Sequence, residues 1–244
     1  LQKLVRHFGD PQTGGVSGRK QIANSEGRES TRGDSAFWNV ESRLKAAQSE
    51  LGSISVADGE LFAMRRSLFR PIASDIINDD AEMTLSLVRS GFRVLYEPEA
   101  VTSEEASLKF EEDFRVKARM VYGGFQTVAN HRDFLLPPKN FFALQFLSHK
   151  VLRHLMPLLL LLLYVESFWL ARQEVSSWIT GFFALQTLFY FAALMGLANR
   201  SRGKSVGVFY FPFYYCAMNL AALVGLYYFL VGKNTIAIWK KATR

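Results

Sequence analysis

Apolar positions obey two different rules on either side of residue 154. Up to there they fall at helical or alternating spacing and are broken at short intervals by glycine, proline or charge. Helical spacing predicts helices over 39–51, 79–89 and 111–130, and short β-branched or aromatic runs predict strands at 15–16 and 93–96. Strands alternating with helices predict an α/β domain with a mostly parallel sheet over residues 1–135. The stretch 24–35 is rich in serine, glycine and charge and predicts a mobile loop, while Pro137-Pro138 marks the exit from the domain.

Beyond residue 154 the apolar positions run together. Residues 155–171 are interrupted only by Glu166, and 175–198 and 205–232 carry no charged residue over 24 and 28 positions. A helix needs roughly 20 apolar residues to cross a bilayer, so residues 155–244 are expected to form about three transmembrane helices and a short basic tail. Trp169, Trp178, Tyr210, Tyr227 and Tyr228 fall near the ends of these stretches, where interfacial aromatics belong. Residues 136–154 alternate Phe141, Phe142, Leu144, Phe146 and Leu147 with Gln145, His149, Lys150 and Arg153. That pattern predicts an amphipathic interfacial segment with a basic face; an early start to the first span is the alternative. Positive flanks favour the cytosolic side. Arg200, Arg202 and Lys204 on one side of the last span, and Lys233, Lys240, Lys241 and Arg244 on the other, make opposing demands.

Charge sharpens this division. The formal net charge is +7, of which +1 belongs to residues 1–153 and +6 to the apolar remainder, so the basic excess flanks membrane helices and is no nucleic-acid footprint. The single Cys216 excludes an internal disulfide framework. The four histidines have no metal-ligand spacing, and Gly14-Gly15-Val16-Ser17-Gly18 lacks the spacing and lysine of a phosphate loop.

Three constellations could carry chemistry. Asn78-Asp79-Asp80-Ala81-Glu82 opens the helix over 79–89, with Asn78 or Asp79 as N-cap candidate and a buried stripe through Met83, Leu87 and Val88; Gly91 ends the helix. A well-capped helix accounts for this pattern. So does a carboxylate held ionised at a helix N-terminus, able to take a proton from a substrate hydroxyl. Asp58-Gly59-Glu60 followed by Leu61, Phe62 and Ala63 fits a turn leading into a strand that lines a pocket. Finally, 111–126 places Arg115 and Arg119 on one helical face ahead of Gly123-Gly124, which is either a solvated charged helix or an anion site beside a glycine break.

In this order, "DPQTGGVSGR", "ADGELFAMRRSLF", "INDDAEMTLSLVRSGFRVLYEPEA", "EEDFRVKARMVYGGFQ" and "HKVLRHLMPLL" resemble the membrane-bound family 2 glycosyltransferases, the group of cellulose, chitin, hyaluronan and poly-N-acetylglucosamine synthases. The resemblance implies the C-terminal part of a GT-A-type nucleotide-sugar transferase domain followed by a transmembrane α-helical region. It implies an inverting transfer from a nucleotide sugar, usually a UDP-sugar, to a polysaccharide or glycan acceptor. Asp80 matches the general base of that family, with Asp79 and Glu82 in support. Asp58 and Gly59 match its acceptor pocket, and Arg119 its contact to the diphosphate. The family's metal-binding Asp-x-Asp pair, expected ahead of "GGVSG", is absent. The chain is therefore expected to be N-terminally truncated, with Mg²⁺ or Mn²⁺ bound mainly by residues outside it and no metal ligand within it.

The implied setting is an integral protein of the plasma (inner) membrane with a cytosolic catalytic domain. Its partners would be a nucleotide sugar, a polysaccharide or lipid-linked acceptor, the bilayer and secretion subunits, without nucleic acid. Val116 and Met120 stand where processive members carry Gln and Trp. Single-sugar transfer to a lipid acceptor is thus an alternative to polymer synthesis, and a catalytically inert secretion subunit is a third reading.

Overall fold

The computed structural model describes residues 1–23, 29–105, 110–135 and 141–232. They form two compact units, one from 1–113 with 123–151, the other from 114–122 with 152–232.

The first unit opens with the short helix α1 (Gln2–Val5) and a 3₁₀ turn, then strand β1 (Thr13–Ala23), helix α2 (Glu29–Glu50), strand β2 (Phe62–Met64), helix α3 (Asp79–Arg89) and strand β3 (Arg93–Glu105). Helix α4 (Phe110–Asn130) contributes 114–122 to the second unit and its last turns to the first. The sheet order is β2-β1-β3, with β1 parallel to β3 and antiparallel to β2. It is therefore mixed, where alternating elements predict a mostly parallel sheet: β2 follows only a tight turn after Asp58 and comes back along β1.

Both parallel strands run well past the predicted 15–16 and 93–96. Their register slips where Gly18 pairs Glu97 and Arg19 pairs Val101, leaving Pro98, Glu99 and Ala100 out of the ladder. Pro98 has no N–H to give, so a bulge is its natural place. Glu97, buried at the bulge, accepts the Glu99 N–H at 2.9 Å and pairs with Arg6 at 2.6 Å and His7 at 2.7 Å. Burial raises its carboxyl, yet His7, the Glu99 N–H and Arg6 together hold it below the usual glutamate range.

Each sheet face has its own core. Ile54, Ala57, Leu87, Val94 and Tyr96 fill one side, and Leu4, Val16 and Ala100 the other. Helix α3 has the predicted bounds, and Gly91 closes it at φ +83°. Its buried stripe, however, is Ala81, Thr84, Leu85 and Leu87; Met83 and Val88 are only partly covered. Helix α2 already runs from Glu29, so the later part of the predicted 24–35 loop is helical, while 24–28 lie outside the described residues, as do Pro137, Pro138 and the basic tail. Helix α4 passes through Gly123-Gly124 without a break. Gly123 serves close packing there, since a Cβ on it would stand 2.7 Å from the Asn78 side chain.

Next come helix α5 (Phe141–Phe146), a π-helical stretch Leu147–Leu152, and helices α6 (Arg153–Arg172), α7 (Ser177–Ser201) and α8 (Tyr210–Leu230). Three helical runs are long and apolar enough to cross a membrane: Phe141–Arg172, Ser177–Ser201 and Gly207–Leu230. The first is longer than the predicted 155–171 because helix continues back through 141–154. In that segment Ala143, Gln145 and Phe146 are buried, while Phe141, Leu144 and Leu147 are exposed. Within the second unit Ser167 donates to Gln186 at 2.7 Å across α6 and α7, and Gly225 packs against the carbonyl of Ala118.

Gly18 sits where a methyl group would strike the Leu61 side chain and stand 2.6 Å from the carbonyl oxygen of Ala100. Gly18→Ala is expected to destabilise the protein by about 1–3 kcal/mol, the usual range for overpacking. Gly9→Ala, which meets nothing within 4 Å, is expected to stay within about 0.5 kcal/mol of the parent. Thermal unfolding of the two purified variants checks the difference.

Candidate active site

Asp80 stands in the first turn of α3, half-buried, and its Oδ1 accepts the N–H of Ala81 at 2.7 Å. Asp79 is exposed and its Oδ1 accepts the Asp80 N–H at 3.0 Å. Asn78 takes the N-cap position without a side-chain capping bond; its carbonyl accepts the Glu82 N–H at 3.1 Å. The loop leading in is clamped by Gln126 of α4. Its Oε1 accepts the Ile77 N–H at 3.0 Å and its Nε2 donates to the Asp75 carbonyl at 2.9 Å.

The Asp58-Gly59 turn comes up against this helix start. Thr84 ties the two together: its hydroxyl donates to the Asp80 carbonyl at 2.7 Å and accepts the Ala57 N–H at 3.1 Å. Being four residues beyond Asp80, it faces the same side of the helix one turn on. Gly59 is then so close that a Cβ on it would lie 3.5 Å from Asp80 Cβ and 3.7 Å from its Oδ2. The backbone of the turn is fixed by Ser17 of β1, whose hydroxyl accepts the Asp58 N–H at 2.9 Å. Lys20, also on β1, holds Glu60 at 2.5 Å.

Beneath the turn, the Asp58 carboxylate meets the ammonium of Lys45 at 2.5 Å, with both side chains under a tenth exposed. Lys45 comes from α2 along with Glu41 and Gln48, three polar side chains buried on one helical face. Gln48 accepts the Ser55 N–H at 3.0 Å and lies 3.1 Å from Nδ1 of His149, whose Nε2 is 3.5 Å from Glu41. His149, expected on a basic outer face, thus turns towards Gln48 and Glu41, and Gln145 of the same segment is buried.

Burial raises the carboxyl of Asp80 above the usual aspartate range, against the opposing charges of Lys150 and Lys45 and the Ala81 N–H; Asp79 adds to the rise. Burial likewise raises Asp58, with Lys45 opposing. A carboxylate raised by burial is a stronger base than a free aspartate and can accept a proton from a hydroxyl.

Asp80, Asp79, Asp58 and Gly59 are brought together within the first unit. Glu82 points away from them, into a hydrogen bond with fully buried His131 at 2.9 Å, and borders a separate cleft of about 270 Å³ lined by Met64, Leu68, Arg70, Ile76 and Ser86. Arg119 belongs to the 114–122 segment of the second unit. Sequence patterns pass over Lys45, Thr84 and His149, although Thr84 has a local signal in its spacing from Asp80. Asp58 is engaged by Lys45 and Glu82 by His131, and no cluster of three metal-ligating side chains occurs among the described residues. These residues do not make a divalent-cation site.

Comparison with known proteins identifies the family and the fold. The sequence profile of glycosyl transferase family group 2 matches residues 1–239. An N-acetylglucosaminyltransferase of Rhizobium meliloti (strain 1021) is 29% identical over 116 residues, 42% of this chain and 27% of the relative. Another, from Rhizobium sp. (strain N33), is 28% identical over 114 residues, 41% of this chain and 25% of the relative. The matched stretch thus spans about a quarter of these curated relatives. In fold, the chain resembles the mannosyltransferase PcManGT of Pyrobaculum calidifontis, solved with GDP-Man and Mn²⁺, with a TM-score of 0.59 at 21% identity over 94% of this chain and 57% of that one. With a GT-A-type mixed sheet, three apolar helices and a profile match along nearly its whole length, the chain belongs to glycosyl transferase family group 2.

Proposed function

We propose that the chain carries the acceptor-side chemistry of a membrane glycosyltransferase that moves a sugar from a nucleotide donor to a glycan acceptor with inversion. The observation that carries this reading is Asp80: a half-buried carboxylate at a helix start, raised by burial, with Gly59 of the Asp58 turn standing against it. Asp80 removes the proton from the acceptor hydroxyl while its oxygen attacks the anomeric carbon. The nucleoside diphosphate departs as the bond to that carbon breaks. Asp58 and Gly59 shape the acceptor side, Asp79 adds negative charge beside the base, and Glu82 keeps α3 in place through His131. Arg119 is assigned to the leaving diphosphate.

The donor is assigned as a UDP-sugar, with N-acetylglucosamine first to test given the names of the rhizobial relatives. A divalent cation, Mg²⁺ or Mn²⁺, would neutralise the diphosphate; the solved mannosyltransferase, which holds Mn²⁺, supports this for the fold.

The three apolar helices anchor the protein in the plasma (inner) membrane with residues 1–135 cytosolic, where nucleotide sugars are made, and secretion subunits as candidate partners. Two spans return the loop holding Arg200, Arg202 and Lys204 to that side, in accord with its charge. Val116 and Met120, in place of the amide and aromatic of processive members, favour a second reading in which one sugar is transferred to a lipid acceptor. Product length distinguishes them: a polymer ladder rejects single transfer.

In the full-length protein in membranes, Asp80→Asn is expected to lower UDP release by about 10²–10⁴-fold, the usual contribution of a general base. Undiminished turnover would overturn the assignment. Glu82→Gln should cost far less activity.

The pH dependence follows from the raised carboxyl. Asp80 must be ionised to act, so the acid limb of kcat/KM should lie above the ordinary aspartate range and activity should fall as the pH drops through it. Stability moves the other way: a raised native pKa favours folding below it and costs stability above it. Asp80→Asn should therefore unfold at the same or a higher temperature at neutral pH. Chelation by EDTA should abolish UDP release, with Mg²⁺ or Mn²⁺ restoring it.

A further inference from the structure

Lys45 lies outside every motif that marks the site, yet it is 3% exposed and its ammonium is 2.5 Å from a carboxylate that is itself buried. Two buried charges are costly to desolvate, so surface chemistry does not account for them. What the pair does is mechanical. Asp58 and Gly59 are adjacent, and Gly59 is the residue that stands against the Asp80 carboxylate. The backbone of the turn is held by neutral hydrogen bonds, from the Asp58 N–H to Ser17 and from the Ala57 N–H to Thr84. Two of its side chains are anchored by charge, Glu60 by Lys20 of β1 and Asp58, the neighbour of Gly59 that is buried with its partner, by Lys45 of α2.

We propose that Lys45 is a positioning residue for sugar transfer: by pairing with Asp58 it fixes the Asp58-Gly59 turn at the distance from Asp80 that the acceptor hydroxyl requires. This rests on the reading of Asp80 as the base. Lys45 touches no reacting atom and acts through Asp58. Its charge also falls on Asp80, whose other charged neighbours are Asp79 on its own helix and Lys150 on the π-helical stretch; Asp58 in turn faces Glu60 and Glu41. Losing the Lys45 charge leaves Asp58 unpaired and makes the surroundings of Asp80 more negative.

The test uses the full-length protein in membranes, with UDP release from the donor that the parent turns over and folding followed by thermal unfolding. Lys45→Met is expected to lower kcat by about 10- to 100-fold, the scale of a small misplacement at a reacting centre, with KM for the donor little changed. Its acid limb should move to higher pH, and Lys45→Arg should restore most of both. Should Lys45→Met fail to fold, the double variant Lys45→Met/Asp58→Asn leaves no unpaired charge. It is expected to fold with its acid limb near the parent's and kcat still about tenfold down. Parent-like kcat in the folded double variant, or in Lys45→Met with an unmoved acid limb, would overturn the proposal and leave the pair a purely structural one. Asp80→Asn separates the two claims: if it still turns over, the reading of the base has failed and the role of Lys45 falls with it; if it is dead while the Lys45 variants behave as the parent, only the role of Lys45 has failed.

Discussion

Taking a carboxylate out of water is unfavourable unless something positive replaces the lost hydration, and the α/β unit does this twice in one small volume. Asp58 is given an ammonium in contact. Asp80 is given a backbone N–H in contact and charges further off. That difference orders the site: one carboxylate is closed in a pair and holds backbone, the other stands beside a glycine. The surrounding design keeps the two from exchanging roles. Thr84 locks the helix start to the turn, Ser17 locks the turn to the central strand, and Gln126 locks the loop ahead of the helix. Gly18 lets Leu61, at the end of the same turn, lie close over β1.

What could be read from the sequence was what local chemistry decides. Helix α3 has its start in Asn78-Asp79 and its end in Gly91, and both lie within a few residues of what they control, so its bounds were legible. The turn ahead of β2 was legible for the same reason. The length of β1 was not. Its glycines read as weak strand, and they are tolerated because Phe92, Phe62, Leu87 and Leu61 press against them from elements far along the chain. Lys45 was missed through a related limit. A polar helix face is ordinarily solvated, and only the fold reveals that Glu41, Lys45 and Gln48 meet Asp58, Ser55 and His149. The mixed sheet escaped because three-residue β2 is too short to declare its direction.

The apolar helices pose the reverse problem, since composition states their character and says little of their packing. Ser167 and Gln186 satisfy one another there, as polar groups among apolar side chains must. Glycine again marks close approach, with Gly196 against Phe213 and Gly225 against Ala118. Neither unit is organised by large residues alone; each is organised by places where a side chain is absent.

A capped helix remains the simplest competitor to a catalytic Asp80, and energetics separate the two. If capping were the task, Asn would serve nearly as well at a helix start, and its amide oxygen could accept the Ala81 N–H without carrying a charge into a half-buried position. The site instead holds an ionisable group where burial opposes ionisation and Asp79 adds to the opposition. Packing is also no reason for Gly59 beside it, because a Cβ there would meet Asp80 only at ordinary contact distance, 3.5 Å. What that Cβ would occupy is the space next to Oδ2. A carboxylate kept at a cost to stability, with a glycine where any larger residue would put a side chain against it, is arranged for a hydroxyl that comes from outside the chain.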